Sequence, residues 1–284
     1  MGDIYNPWSI TNFLCSKGKY DTYWADSSSN GLVNSLIRQG SANLKQTMEL
    51  LMRGESFEAE LDEQISFDRL DGDEGAVWSL LLATGYLRVR RLERKGRLLK
   101  KIYILCLTNM EVESVFARMV SGWFKGSYAV YNEFINALLQ DDVKRMNTFM
   151  NKVALNTFSS FDSGNKPSEK AEPERFYHGF VLGMAVDLTD RYRVKSNRES
   201  GYGRYDVVIE PIDKNEKAFI FEFKVLDRDD GEQSLEDTAT NALAQIEERK
   251  YETELITDGI ASGNIRKYGF AFQGKECLIR GQKS

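Results

Sequence analysis

The spacing of apolar positions changes twice along this chain. From Gly31 to Leu155 it is mostly three to four residues, the period of helices with one buried face. Gly31–Met52 reads as a helical stretch broken at Gly40, with Gly54 beyond it, and Val112–Phe124, Tyr128–Leu139 and Val143–Leu155 repeat the pattern. Gly75–Leu82 reads as a buried helix ended by Gly85. The period then shortens to two, and Tyr86–Arg91 and Lys101–Leu107 alternate as strands around the polar turn ERKGR. Helices followed by a two-stranded wing predict a winged-helix unit.

The segment Ser160–Pro173 holds two of the four prolines among Ser, Gly, Asn and charged residues, the composition of a linker. Beyond it the order changes. Glu174–Leu188 predicts a helix, and Tyr192–Asn197, Arg204–Glu210 and Lys217–Val225 predict three strands. Leu235–Ile256 predicts one long amphipathic helix with Ala239, Leu243, Ile246 and Lys250 on a stripe, and Lys267–Gln273 and Glu276–Arg280 predict two closing strands. The expectation is an α+β or α/β protein in two domains. Residues 1–160 form a helical, winged-helix-like region, and 161–284 an α-β-β-β-α-β core with a mixed sheet.

Composition narrows the chemistry. With 284 residues, 42% hydrophobic, either half can bury a core. The net charge of -5 argues against a generic basic nucleic-acid coat. One His excludes multi-His metal sites, and three scattered Cys exclude a four-cysteine one. A Ser-His-Asp or Cys-His system must use His178 or not exist. No G-x-x-x-x-G-K-[ST] occurs, so no nucleotide P-loop is expected. Unpaired Cys15, Cys106 and Cys277, no apolar run of spanning length and no leader-like N-terminus predict a cytoplasmic protein without membrane contact.

The strongest chemical signal is the strand Phe219-Ile-Phe-Glu-Phe-Lys-Val225. Alternation puts Phe219, Phe221 and Phe223 on one face, and Glu222 and Lys224 on the other with Ile220. Charges inside a core strand are costly unless paired, hydrogen-bonded or metal-bound, so a structural Glu-Lys pair on a half-exposed strand is the plainer alternative. Asp206, in the strand after the turn Gly201-Tyr-Gly203, changes the balance. If the two strands pair, Asp206 and Glu222 converge, and two adjacent carboxylates are relieved by a hard divalent cation such as Mg2+. Lys224 then stands beside it, facing developing negative charge. Glu174, His178, Val181 and Ala185 share a helical stripe expected to face the sheet. Glu174 offers a third acid there, or a mere dipole-favoured terminal acid. Glu199 is the other candidate, and His178 is either a supporting residue or a packed core histidine.

Between Arg88 and Lys101 eight Lys and Arg stand against Glu93. Arg88, Arg90, Arg91, Arg94, Lys95 and Arg97 are candidates for phosphate contact, or else the solvated charges of a protected hairpin. The acidic run Asp227–Asp237 reads as a solvated loop, with a mobile flap or partner surface as the alternative.

At Asp206, Glu222-Phe-Lys224 and the preceding helix acid, the sequence resembles the PD-(D/E)XK nucleases. The stretches ERFYHGFVLGM, SNRESGYGRYDVVI, FIFEFKV and AQIEERKY resemble the C-terminal nuclease domain of a bacterial and archaeal family that carries an AAA-ATPase-like domain in front. NPWSITNFL, YWADSSSN and LLLATGYL resemble, more loosely, the end of that ATPase-like region. The resemblance implies a restriction-endonuclease-like fold and a metal-dependent nuclease, with DNA favoured over RNA. It implies Asp206, Glu222 and Glu174 as ligands of Mg2+ or Mn2+, and Lys224 and Gln245 as catalytic residues. Arg204, Lys250 and Tyr251 are supporting residues, and a homodimer is the assembly such nucleases often adopt. The missing P-loop departs from that family, so ATP dependence is not implied. The rival readings are an inactive nucleic-acid- or protein-binding module using the winged-helix-like region, and a ligand-controlled interaction protein.

Overall fold

The computed structural model describes residues 6–19, 21–24, 30–61, 73–124, 128–161, 171–197, 204–229 and 231–283. Within these, only the backbone is described at 42, 128, 156–161, 171–175, 197, 204–206, 249, 251 and 283. The chain divides into two compact units, Met1–Gly122 and Trp123–Ser284.

The first unit runs α1 (Pro7–Cys15), α2 (Asn30–Gln39), α3 (Ala42–Met52), β1 (Phe57–Ala59), α4 (Glu74–Ala83), β2 (Leu87–Lys95), β3 (Lys100–Leu107) and α5 (Met110–Trp123). The expected break at Gly40 separates α2 from α3, where the Ser41 hydroxyl accepts from the Leu44 amide and caps the new helix. Asp73 caps α4 in the same way. Val33, Ile37, Met48, Trp78, Leu81 and Phe116 are buried in this unit. The expected hairpin forms, but it belongs to a three-stranded antiparallel sheet of order β1-β3-β2. The three residues of β1 are too few to show an alternation, which is why the sequence suggests two strands.

The second unit runs α6 (Tyr128–Gln140), α7 (Val143–Phe161), α8 (Ala171–Asp187), β4 (Tyr192–Asn197), β5 (Arg204–Pro211), β6 (Ala218–Val225), α9 (Leu235–Arg249), α10 (Tyr251–Thr257), β7 (Ile265–Gln273) and β8 (Glu276–Lys283). Its sheet has the order β4-β5-β6-β7-β8, with β6 and β7 parallel and the other pairs antiparallel. The mixed α+β expectation holds. The compact units divide at 122/123, whereas the linker composition points to 160. Helices α6 and α7 pack with the sheet for an identifiable reason. Asn147 Nδ2 donates to the Ile279 carbonyl and its Oδ1 accepts from the Ile279 amide, both at 2.8 Å. Asn151 does the same to Cys277 at 2.7 and 2.9 Å. Four residues of helix rise about 6 Å and two residues of strand about 6.7 Å, so the two asparagines match successive outward positions of β8. The sheet edge is thereby closed by a helix. At the α6–α7 turn, Asp141 pairs with Arg266 at 2.8 Å and accepts from the Tyr268 hydroxyl at 2.5 Å.

The long helix expected over Leu235–Ile256 is interrupted. Lys250 takes a left-handed conformation, φ 56°, dividing α9 from α10. The stripe through Ala239 and Ile246 is buried as expected, but it ends there and Lys250 is exposed. Buried Lys267 spans the break, bonding Glu247 of α9 at 2.8 Å and Glu252 of α10 at 2.5 Å.

Candidate active site

Alternation on β6 builds two chemically different faces. On one, Phe219, Phe221 and Phe223 stack with Tyr268, Phe270 and Phe272 of β7. Helix α8 lies against this aromatic face, with Tyr177 5.3 Å from Phe223 and 4.5 Å from Phe272 between ring centroids. The ring contacts of α8 are made by Phe176, Tyr177 and Phe180, beside the stripe expected to meet the sheet, and every residue from Phe176 to Met184 is buried. A helix buried all round has no single inward stripe. His178 is buried in α8, on the side of the sheet away from Glu222. Glu174 lies in the first turn of that helix, and its side chain is outside the described residues.

The other face carries the acids. Backbone register sets Asp206 directly opposite Glu222, Arg204 opposite Lys224, and Gly269 on the far side of Glu222. Opposed positions share a face of the sheet, so the strand pairing on which the convergence of Asp206 and Glu222 depends is present. The side chains of Asp206 and Arg204 are outside the described residues, as are Glu199 and the turn Gly201–Gly203.

Helix α9 covers this row. A Cβ at Gly269 would collide with the Ala239 carbonyl oxygen and stand 3.0 Å from Ala242 Cβ, so only glycine admits the helix so close. Arg280, opposite Gly269 on β8, donates to Thr240 of α9 at 2.8 Å. The close approach leaves Glu222 at 0% exposure, and among the described residues neither of its carboxylate oxygens has a hydrogen-bond partner. Below it, Ile220, Ile246, Leu255 and Ile265 form an apolar floor. Gln245, one turn beyond Ala242 on α9, is buried, with its Nε2 also without a hydrogen-bond acceptor among the described residues. Lys250 is exposed at the helix break, and the side chain of Tyr251 is outside the described residues.

Lys224 is half-buried at the end of β6, where the chain enters the acidic run. That run is not wholly solvated as its charge suggests. Glu232 is buried and accepts from the Asp227 amide (3.1 Å), Thr238 Oγ1 (2.6 Å) and Asn241 Nδ2 (2.8 Å). Burial pushes its carboxyl up, but these donors and the Lys224 charge outweigh that and hold it below its ordinary value. Glu232 therefore ties the loop to α9 beside Lys224, a role the sequence reading missed. The signal was present in the capping box Ser234–Asp237, which fixes where α9 starts and so how tightly the loop must turn.

Among the described residues no group of three or more His, Cys, Asp or Glu is placed to hold a metal ion, and two of the three expected acids lie outside that description. Nor is any described helix long and apolar enough to cross a membrane.

A mixed five-stranded sheet, helices on both faces and a buried acid opposed by an aspartate position define a restriction-endonuclease-like core. A sequence profile described as the PD-(D/E)XK nuclease superfamily matches residues 172–282. Over these residues the chain is similar to that superfamily, which supports a nuclease-type function. Comparison with curated proteins gives no significant match, and neither does comparison with solved structures.

Proposed function

We propose that the second unit is a divalent-metal-dependent nuclease that hydrolyses phosphodiester bonds of DNA. The observation that carries this is Glu222, a buried carboxylate on a core strand with both oxygens unsatisfied, opposite Asp206. A buried ionised group in that state is strongly disfavoured unless something compensates it. A hard cation with oxygen ligands fits the donor set, because neither acid position offers a proton donor and Mg2+ needs only one or two carboxylates. Asp206 and Glu222 would hold it, with Glu174 as the candidate third acid.

When bound, such an ion polarises a phosphoryl oxygen and lowers the pKa of a coordinated water. The chain's own groups supply the rest. Lys224 offers a fixed ammonium to negative charge developing on the phosphate. Gln245 brings a spare amide donor to the same face, suited to holding substrate or water in place. Glu232 and its three donors fix the loop that leaves Lys224, so that cation need not be ordered during reaction.

The test is a panel of single- and double-stranded DNA and RNA incubated with Mg2+, Mn2+ or EDTA. Cleavage that needs the metal and disappears in Glu222→Gln is the expected result. Equal cleavage by parent and variant, at matched folding, overturns the assignment.

A further inference from the structure

The β2–β3 hairpin of the first unit sorts its basic side chains into two sets. One is used internally. Arg91 pairs with Glu93, Lys95 with Glu58 at 2.6 Å and Lys100 with Glu60 at 3.2 Å, and Arg88 Nε donates to the Leu107 carbonyl at 3.3 Å. The other set, Arg90, Arg94 and Arg97, is exposed, and no ion pair or hydrogen bond engages it among the described residues.

Two further features accompany that second set. The outer end of the ladder opposes Arg94 to Lys101 and Lys95 to Lys100, and like charges directly opposed weaken a hairpin. The turn beyond them exposes Leu98 and Leu99 by 83% and 61%, with Leu99 at φ 50°, where branched side chains are uncommon. Protecting a sheet edge calls for charge alone. It does not call for two bare leucines, one of them in a left-handed conformation.

We propose that the tip of this hairpin binds double-stranded DNA, with Arg90, Arg94 and Arg97 meeting phosphates and Leu98 and Leu99 entering the major groove. That groove of B-form DNA admits a two-stranded ribbon, whereas the deep, narrow major groove of A-form RNA does not. The choice of nucleic acid over other polyanions rests on the nuclease reading of the second unit.

Binding is measured on the full chain in EDTA, where no cleavage intervenes, by fluorescence anisotropy of a labelled DNA duplex. Duplex RNA and anionic vesicles are run in parallel. Each arginine that meets a phosphate contributes about 0.9 to the slope of log affinity against log salt. The triple variant R90Q/R94Q/R97Q is expected to lose about 2–3 from that slope, with affinity down at least ~10-fold at moderate salt. Leu98→Ser with Leu99→Ser is expected to weaken binding several-fold at an unchanged slope. Unchanged affinity and slope in the triple variant overturn the proposal. So does equal binding of duplex RNA, or vesicle binding that these residues control while DNA affinity stays constant. Hairpin-dependent DNA binding by a chain that cleaves nothing with any metal would sink the nuclease reading and leave this proposal standing.

Discussion

Three buried glutamates lie within one small sheet and its flanking loop, and their surroundings differ completely. Glu210, near the end of β5, is bonded by Lys195 at 2.8 Å and Lys214 at 2.5 Å. Glu232 is held by a hydroxyl, a side-chain amide and a backbone amide. Glu222, in the middle of β6, has no hydrogen-bond partner on either oxygen among the described residues. The first two are what a fold does with a carboxylate it must bury. A carboxyl left bare at the centre of a sheet, while its neighbours are fully satisfied, marks a place shaped for something the chain itself does not supply.

The comparison breaks most sharply at Glu222. Glu222→Met is expected to lower metal-dependent cleavage by about 10³-fold or more, the scale of losing a group aimed at the reacting centre. In EDTA the same variant should be about 1–3 kcal/mol more stable to urea than the parent, since a buried carboxyl with unsatisfied oxygens has been replaced by an apolar side chain. Saturating Mg2+ should stabilise the parent by about 2–3 kcal/mol at a hundredfold excess over Kd and leave the variant unmoved. A variant less stable than the parent in EDTA would mean that Glu222 is satisfied like the other two. Lys224→Met separates the cation from the acids. Cleavage should fall about 10²–10³-fold while the Mg2+-induced stabilisation in a thermal melt is retained.

Glu210 should behave in the opposite sense. Glu210→Ala is expected to cost about 1–2 kcal/mol, a modest figure because its lysines are well exposed and re-solvate readily. Cleavage at saturating substrate should stay within about twofold, as for a residue outside the reacting centre. Burial raises the Glu210 carboxyl, but the bonds from Lys195 and Lys214 prevail and hold it below its ordinary value. Its stabilisation is therefore complete above the unfolded carboxylate pKa of about 4.3 and is lost as pH falls through the lower folded value. Urea melts of parent and variant should differ at neutral pH and converge in acid.

What the sequence discloses here follows the range of the interaction involved. Alternation separates Phe219, Phe221 and Phe223 from Glu222 and Lys224, because period-two patterning is local to one strand. Asp206 opposite Glu222 is one step less local, legible only on the condition that β5 and β6 pair. The left-handed break at Lys250 has no glycine or asparagine to announce it, so the helix reads through. The clamp of Asn147 and Asn151 on β8 joins residues more than 120 positions apart and leaves no trace in either segment alone. The same is true of the bareness of Glu222, since a missing hydrogen bond is a property of everything around a side chain.

Glu232 gives the smallest and most discriminating effect. Its carboxylate accepts from three donors on the loop and α9, and the Lys224 charge adds to them in keeping it ionised. In Glu232→Gln the new amide cannot accept at every position, so at least one of those donors faces another donor. The expected loss is about 0.5–1.5 kcal/mol, read from urea melts. If the loop serves only the fold, cleavage at saturating substrate should equal that of the parent. If it also fixes Lys224, kcat should fall several-fold with KM unchanged, and Glu232→Asp, which keeps the charge, should recover part of that loss. An unchanged kcat in Glu232→Gln would put Glu232 beside Glu210 as a structural acid and confine the working part of the face to Asp206, Glu222, Lys224 and Gln245.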